Sequence, residues 1–402
     1  MGDILNILYS TIIDPDTQSS PAQHILSVIA GWEKQGHSVR LLHPHAAIGQ
    51  AYVESSPGSK ISLILDRFRK DWSFSWALVQ ELRKGSYDLA YHRFALSSVF
   101  PVLRAKLAGV PLVLEINADL DSDLERHWGG NPIISLLIRW MAALQFYLAD
   151  RIVAVSEGIG EKLRRNPLVK PERVAVVPNG ADLDQFYPRD KSQARQELGL
   201  DTEMNLVVYA GGFQPYQGVE DIILAAAQLD EEDCSLQICL LGEGPEKARL
   251  QEMAASQGIS SRVKFVGWCS PEITALYLAA SDLCLAPYTR AALMDPTVKD
   301  TFGAPMKGSP LKIYTYLAAG RPVIASHFAE AGVFVEDHKA GIAVEPNDPG
   351  GLAGRIRYLL DNPRMLMNMG ESAQCAAKDK FGWDKTSERI SAVCQQVIPS
   401  RS

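Results

Sequence analysis

Leu206-Val207-Val208-Tyr209-Ala210-Gly211-Gly212-Phe213-Gln214-Pro215-Tyr216-Gln217-Gly218 joins a short apolar run to a glycine-rich loop, and a helix-periodic segment follows over Gly218–Leu229. An apolar run of this length bounded by glycine reads as a strand buried on both faces. The loop lets backbone N–H groups approach an anion, and Glu220 and Asp221 in the first turn suit a helix N-terminus. A strand, a glycine loop and a helix in that order are the opening of a βαβ unit. A simple tight turn is the competing reading of the loop by itself.

The same rhythm runs outward in both directions. Downstream, Leu236–Leu241, Val263–Val266, Leu283–Ala286 and Val323–Ala325 read as strands, with helices over Glu246–Ser256 and Leu311–Ala319 between them. Upstream, Ile4–Tyr9, Ser38–His43, Asp88–His92, Pro111–Ile116 and Arg151–Val155 form an earlier set, with a helix over Ala22–Lys34. Alternation of this kind predicts an α/β chain with two Rossmann-like parallel sheets. The expected domains are residues 1–185 and 186–380, with 381–402 as a closing helix. Two such sheets facing each other would leave a cleft at their strand ends.

At 402 residues, 47% apolar and 22% charged, the chain is long enough for two cores and too apolar for disorder. The net charge of −7 and the lack of a long basic stripe argue against nucleic acid as a partner. Residues 1–180 are nearly balanced, with 19 Lys+Arg against 18 Asp+Glu. The six cysteines make no CxxC pair, and several sit in apolar runs, which predicts buried free thiols in a reducing, cytoplasmic setting.

The start, Met1–Leu8, lacks a basic leader and reads as a first strand. Two segments could touch the inner face of a membrane from the N-terminal domain. Pro132–Ala149 is apolar almost all round, and Arg67–Trp76 interleaves cations with aromatics. The competing readings are a buried helix and a helix start with a partly buried aromatic face.

A second chemical signal is Ser309-Pro310-Leu311-Lys312, which opens the helix ended by Gly320. Ser309 suits an N-cap and Pro310 the first helical position. Lys312 in the first turn opposes the helix dipole, and an anionic ligand at the N-terminus would offset that misfit. A solvated surface lysine is the alternative.

These residues resemble the family 4 retaining glycosyltransferases of the GT-B fold, over essentially the whole chain. Pro178-Asn179-Gly180-Ala181-Asp182 with Phe186 is similar to the family's PNGVDxxxF segment, and Leu241–Glu246 to its GxGP turn. Val263–Trp268 resembles the VxFxG strand, Gly36–Val39 the GHEV segment and Val155–Glu157 the VSE segment. Ser309–Val323 and Leu114–Leu120 are similar to the SPLKxxEYMAAGRPV and LExNAPL segments of one subset.

The resemblance implies a metal-independent transferase without cofactor, using a nucleotide-sugar donor, UDP- or GDP-linked before ADP-linked, and an unidentified acceptor. It places the donor at Gly211, Gly212, Gln217, Gly242, Val266, Trp268, Lys307, Ser309, Leu311 and Thr315. Asn117, Lys312 and Arg93 are the catalytic candidates, and Ser20, Gln23 and His24 the acceptor candidates.

The chain also departs from the pattern. The family's phosphate loop, GRLxxxKG, has Gly212 and Gln217 in place of its Arg and Lys, so the cation passes to Lys312 or Lys307. Thr315 replaces the glutamate that usually holds the ribose, with Asp295 or Asp300 as alternative carboxylates. Asn117 stands where a histidine often contacts the sugar. Arg93 either reads a ligand or pairs with Glu115, and His24 is either structural or an acceptor contact. Asp119, Asp121 and Asp123 read as a solvated acidic loop, since the turn glycine and closing glutamate of a calcium loop are missing. The departures also admit a weak or inactive subunit that partners another transferase, and the architecture admits a nucleotide-sugar epimerase.

Overall fold

The structure is a computed structural model. It describes residues 3–17, 19–44, 60–96, 98–117, 120, 132–229, 235–289, 311–328 and 331–398. The chain divides into two compact units. The first runs to Asn179 and takes up the chain again from Trp383, and the second spans Gly180 to Gly382.

The first unit is built from β1 (Asn6–Ser10), α1 (Ser20–Lys34), β2 (Ser38–Leu42), α2 (Lys60–Lys84), β3 (Leu89–Arg93), α3 (Val99–Leu107), β4 (Leu112–Ile116), α4 (Pro132–Leu148), β5 (Arg151–Ala154), α5 (Glu157–Arg164) and β6 (Val174–Val176). Its six strands are parallel in the order β2-β1-β3-β4-β5-β6. Strand β3 inserts beside β1, so the connections reverse direction between these two, the switch point where open α/β sheets bind ligands. Strands β3 and β4 are buried along their whole length. A sheet covered on both faces explains why they read as mainly apolar runs, and it leaves His92, Arg93 and Glu115 buried within them.

The second unit holds α6 (Lys191–Glu197), β7 (Asn205–Ala210), α7 (Val219–Gln228), β8 (Leu236–Leu241), α8 (Lys247–Ser256), β9 (Val263–Gly267), α9 (Pro271–Ala280), β10 (Leu283–Ala286), α10 (Leu311–Ala318), β11 (Val323–Ser326), α11 (Ala331–Asp337), β12 (Gly341–Val344), α12 (Pro349–Leu360) and α13 (Pro363–Ala376). The strand order is β12-β11-β10-β7-β8-β9, and its switch point lies between β7 and β10.

The last helix, α14 (Trp383–Gln395), lies against α1 in the first unit. The contact is close because Gly31 has no Cβ; one placed there would sit 2.1 Å from the Ser387 hydroxyl. Gln35 donates to Ser387 Oγ at 3.1 Å, and Ser391 donates to Gln35 Oε1 at 2.8 Å.

Three differences from the sequence expectation have local causes. Arg67–Trp76 lies inside α2 instead of starting it, because Ile61–Leu65 continues the helix upstream. The polar stretch before Gly199 contains α6, capped by Asp190, whose carboxylate accepts from Gln193 N at 2.8 Å. The edge strands β6 and β12, three and four residues long, are additional to the strands expected from the sequence. The five described cysteines are all free thiols.

Candidate active site

In the second unit, three strand ends are laced together. Gly211 N donates to Leu241 O at 2.9 Å, Phe213 N to Glu243 O at 2.9 Å, and Gly242 N to Gly267 O at 2.7 Å. Close approach of the loops after β7 and β8 requires glycine. A Cβ at Gly242 would lie 1.9 Å from the Gly211 carbonyl oxygen. Gly218 adopts φ +71°, and a Cβ there would meet Pro287 O at 1.6 Å. Any side chain at Gly218 would force apart the loops after β7 and β10 at the switch point.

Lys312 reaches into this loop from α10. Tyr316, one turn further along that helix, accepts from Ala210 N at 2.8 Å and donates to Ala210 O at 3.1 Å. That pair of bonds fixes α10 to the end of β7, so Lys312 on the same face meets the glycine loop. Its Nζ donates to Gln217 Oε1 at 2.5 Å and to Tyr209 Oη at 3.0 Å. It lies over the Tyr209 and Tyr288 rings, at 4.2 and 4.9 Å from their centroids. Tyr209 in turn donates to Gly212 O at 2.8 Å. No described carboxylate pairs with Lys312, and burial lowers its pKa to about 7. An ammonium held by neutral oxygens and ring faces can gain most from an anion.

The remaining donor candidates are placed as follows. Gly211, Gly212 and Gln217 line the loop with Lys312, and Gly242 backs it. Val266 is half-buried at the end of β9, and Trp268 just beyond it is 56% exposed. Leu311 opens α10. Thr315 is half-buried, and its hydroxyl donates to the Leu311 carbonyl of its own helix at 3.2 Å. Lys307, Ser309, Asp295 and Asp300 lie outside the described residues, as do Asp119, Asp121 and Asp123. Among the described residues, no three His, Cys, Asp or Glu side chains gather as metal ligands would.

In the first unit, the candidates converge on one buried carboxylate. Glu115 on β4 accepts from His24 Nε2 at 2.9 Å and Tyr91 Oη at 3.0 Å, and from Tyr9 Oη at 3.3 Å and Arg93 at 3.4 Å. Burial would raise its pKa, but His24, Arg93 and the Asn117 amide outweigh that and hold it at about 2. The edge of Trp383 from α14 packs on the His24 ring at 5.1 Å. Arg93 is therefore ion-paired with Glu115, and His24 is buried as its neighbour. Gln23 is exposed on α1, and Ser20 is in the first turn of that helix.

Sequence reasoning left Arg93 open between a ligand contact and a pair with Glu115, and it overlooked Tyr9, Tyr91, Tyr209 and Tyr288, which read as core aromatics in apolar strands. A tyrosine in a fully buried strand needs a partner for its hydroxyl, and that requirement was the available signal.

Residues 21–185 match the family described as Glycosyltransferase Family 4, and residues 190–375 match Glycosyl transferases group 1. The chain is 29% identical over 339 residues to a D-inositol 3-phosphate glycosyltransferase of Streptomyces bingchenggensis, covering 79% of this chain and 68% of that one. Among solved structures, sucrose-phosphate synthase from Thermosynechococcus elongatus superposes with a TM-score of 0.76 at 19% identity, covering 97% of this chain and 98% of that one. HepE of Anabaena in complex with UDP gives 0.71 at 17%, covering 98% and 100%. The two family matches together take in almost everything between residues 21 and 375, so this chain belongs to the family 4 glycosyltransferases and has their GT-B fold.

Proposed function

We propose that this glycosyltransferase takes its sugar from a nucleoside-diphosphate donor bound in the second unit, with the diphosphate held by the Gly211–Gln217 loop and Lys312. The observation that carries this reading is the Lys312 ammonium, held by Gln217 and Tyr209 against the glycine loop with no described acid beside it. Its Nζ rests on Gln217, the residue in the place of the family's loop lysine. The charge is thus supplied from α10 instead of from the loop. UDP is the first base to test, since the HepE structure holds UDP, with GDP next.

The transfer retains configuration. The acceptor hydroxyl attacks the anomeric carbon on the face the diphosphate leaves. The carbon–oxygen bond to phosphate breaks as the new one forms, and the acceptor proton passes to the departing phosphate oxygen. The protein's part is to position both substrates and to stabilise negative charge on the leaving group. Lys312 supplies that stabilisation, since the Gly211 and Phe213 N–H groups are bonded to Leu241 and Glu243. Asn117 and Arg93, at strand ends of the first unit, are the candidates for orienting acceptor hydroxyls. The name of the Streptomyces relative makes a phosphorylated cyclitol an acceptor to test, alongside glycan and lipid-linked acceptors.

Calorimetric titration with UDP, GDP and ADP, followed by turnover with the matching nucleotide sugars, tests the reading. Binding of one nucleotide, with release of that nucleoside diphosphate from the matching nucleotide sugar, supports it. Absence of binding by all three would defeat it in favour of an inactive partner subunit. The uncharged Gly212, Gln217 and Thr315 are what favour that second reading.

A further inference from the structure

Among the described residues, seven of the sixteen large apolar side chains that are exposed come from one helical layer of the first unit. Helices α2, α3 and α4 lie side by side and bury Phe74, Leu78, Val102, Ala105, Ala142 and Phe146 in one shared core. Their outer side should then be polar. Instead it carries Trp72, Trp76, Leu107, Leu136, Trp140 and Tyr147. Leu107 is 77% exposed, Leu136 70% and Trp140 66%, which places whole side chains in water. On α4 the spacing of Leu136, Trp140 and Tyr147 makes a stripe along one helix face, opposite the buried Ile138, Met141 and Ala142.

Charge singles out the same layer. The three helices carry nine Lys+Arg against three Asp+Glu in a chain whose net charge is −7. Of the three acids, Asp71 is turned inward and accepts from Phe100 N at 3.2 Å. Asp66 pairs with Lys70 at 2.7 Å, and Glu81 with Arg40 at 3.4 Å. The Arg104 guanidinium stacks on the Trp76 and Trp72 rings, at 4.0 and 4.8 Å from their centroids.

We infer that the outer face of α2, α3 and α4 is a docking surface for an anionic lipid bilayer, with the indoles and leucines at the headgroup–acyl boundary and the arginines and lysines on the headgroups. Tryptophan, leucine and cations interleaved on one helical layer suit that boundary, where one end of each side chain is apolar and the other wet. A second copy of this chain suits the face less well, because a two-fold contact would set like charges against each other. A nucleic acid could pair with the cations and stack on the indoles, but Leu107 and Leu136 would gain nothing from it. No described helix is long and apolar enough to cross a membrane, so the contact is peripheral.

Co-sedimentation of the full chain with phosphatidylcholine vesicles, with and without phosphatidylglycerol, tests the inference. Binding should require the anionic lipid and weaken at high salt, as headgroup contacts do. Indole fluorescence should shift to the blue on binding. The paired substitutions Trp140→Ser and Leu136→Ser should lower the partition coefficient at least tenfold. Arg69→Gln, on an exposed cation of α2, should lower it about fivefold.

Nucleotide binding should persist in each variant, which separates this surface from the donor site and from the fate of the proposed function. If the paired variant loses its fold, Arg69→Gln alone decides the matter. Equal binding to neutral and anionic vesicles, no binding to either, or full binding by Arg69→Gln would overturn the inference. So would a fluorescence shift that follows protein concentration without lipid, which would mark a dimer, or one that appears only with RNA.

Discussion

The candidate site of each unit centres on one charge withdrawn from water, and the two charges are treated in opposite ways. Glu115 in the first unit has a histidine, an arginine and two tyrosine hydroxyls around its two oxygens. Lys312 in the second unit meets two neutral oxygens and two ring faces. The electrostatic results diverge accordingly. Glu115 is held charged down to about pH 2, whereas Lys312 is pushed toward neutrality near pH 7. A buried charge that is fully partnered has nothing left to offer a ligand except the orientation of its neighbours. A cation without an acid has its main interaction still to make.

The largest effect should come from breaking the partnered site. Glu115→Leu strands Arg93 beside two buried tyrosine hydroxyls and should cost about 3–5 kcal/mol of unfolding free energy in a urea titration. Glu115→Gln keeps acceptor and donor atoms in place and should cost less, about 1–3 kcal/mol. The Glu115 carboxyl has a folded pKa below the ordinary 4.5, so its stabilisation is complete above that value and is lost as pH falls toward about 2. If Glu115→Leu unfolded at the wild-type urea midpoint, the network would be dispensable and the comparison would collapse.

Lys312→Met should show the converse, with stability unchanged or raised and nucleotide binding weakened. Loss of a charged hydrogen bond to phosphate is about 1.5–3 kcal/mol, or roughly a 10- to 150-fold higher dissociation constant. A variant that bound the nucleotide normally would remove Lys312 from the donor site.

A third test uses pH alone. A diphosphate beside Lys312 raises its pKa, so binding takes up a proton wherever the free protein has lost it. Affinity should hold steady below about pH 7 and fall by up to about tenfold per pH unit above it, until the pKa of the complex is reached. Calorimetry in buffers of different ionisation enthalpy should register proton uptake above pH 7 and none well below it. Equal enthalpies in all buffers at pH 8 would mean that Lys312 does not sense the ligand.

The two sites also differed in how far they could be read from sequence. Lys312 was legible because its signal is local. A cation in a first helical turn conflicts with the dipole, and the adjacent glycine loop follows a strand. The Glu115 network is assembled from residues as far apart as 106 positions, Tyr9 and Glu115, so no window of sequence contains it. Only the Arg93–Glu115 pair, on neighbouring parallel strands and in direct register, could be anticipated. The fold shows the same division. Central strands such as β7 and β8 stand out because burial on both faces makes them continuously apolar. The edge strands β6 and β12 are apolar too, but only three and four residues long, and each is defined by pairing with a single neighbour.

The smallest expected effect concerns Thr315, which stands where the resemblance expects a ribose-binding glutamate. Its hydroxyl bonds back to the Leu311 carbonyl of its own helix, a contact that adds little to helix stability. Thr315→Glu should therefore leave stability within about 0.5 kcal/mol of wild type. A carboxylate there could accept both ribose hydroxyls and tighten UDP binding about fivefold, roughly 1 kcal/mol. It would also stand three residues from Lys312 on the same helix, close enough to attract the ammonium. That attraction raises the lysine pKa, so the break in the pH profile should move upward in the variant. Thr315→Gln separates the two contributions, since it offers the ribose a neutral acceptor without drawing the proton. Tighter binding in Thr315→Glu with an unmoved pH break would mean that the ribose and diphosphate positions are independent. A moved break without tighter binding would place the ribose elsewhere, and the role of the expected glutamate would then belong to another residue in this chain.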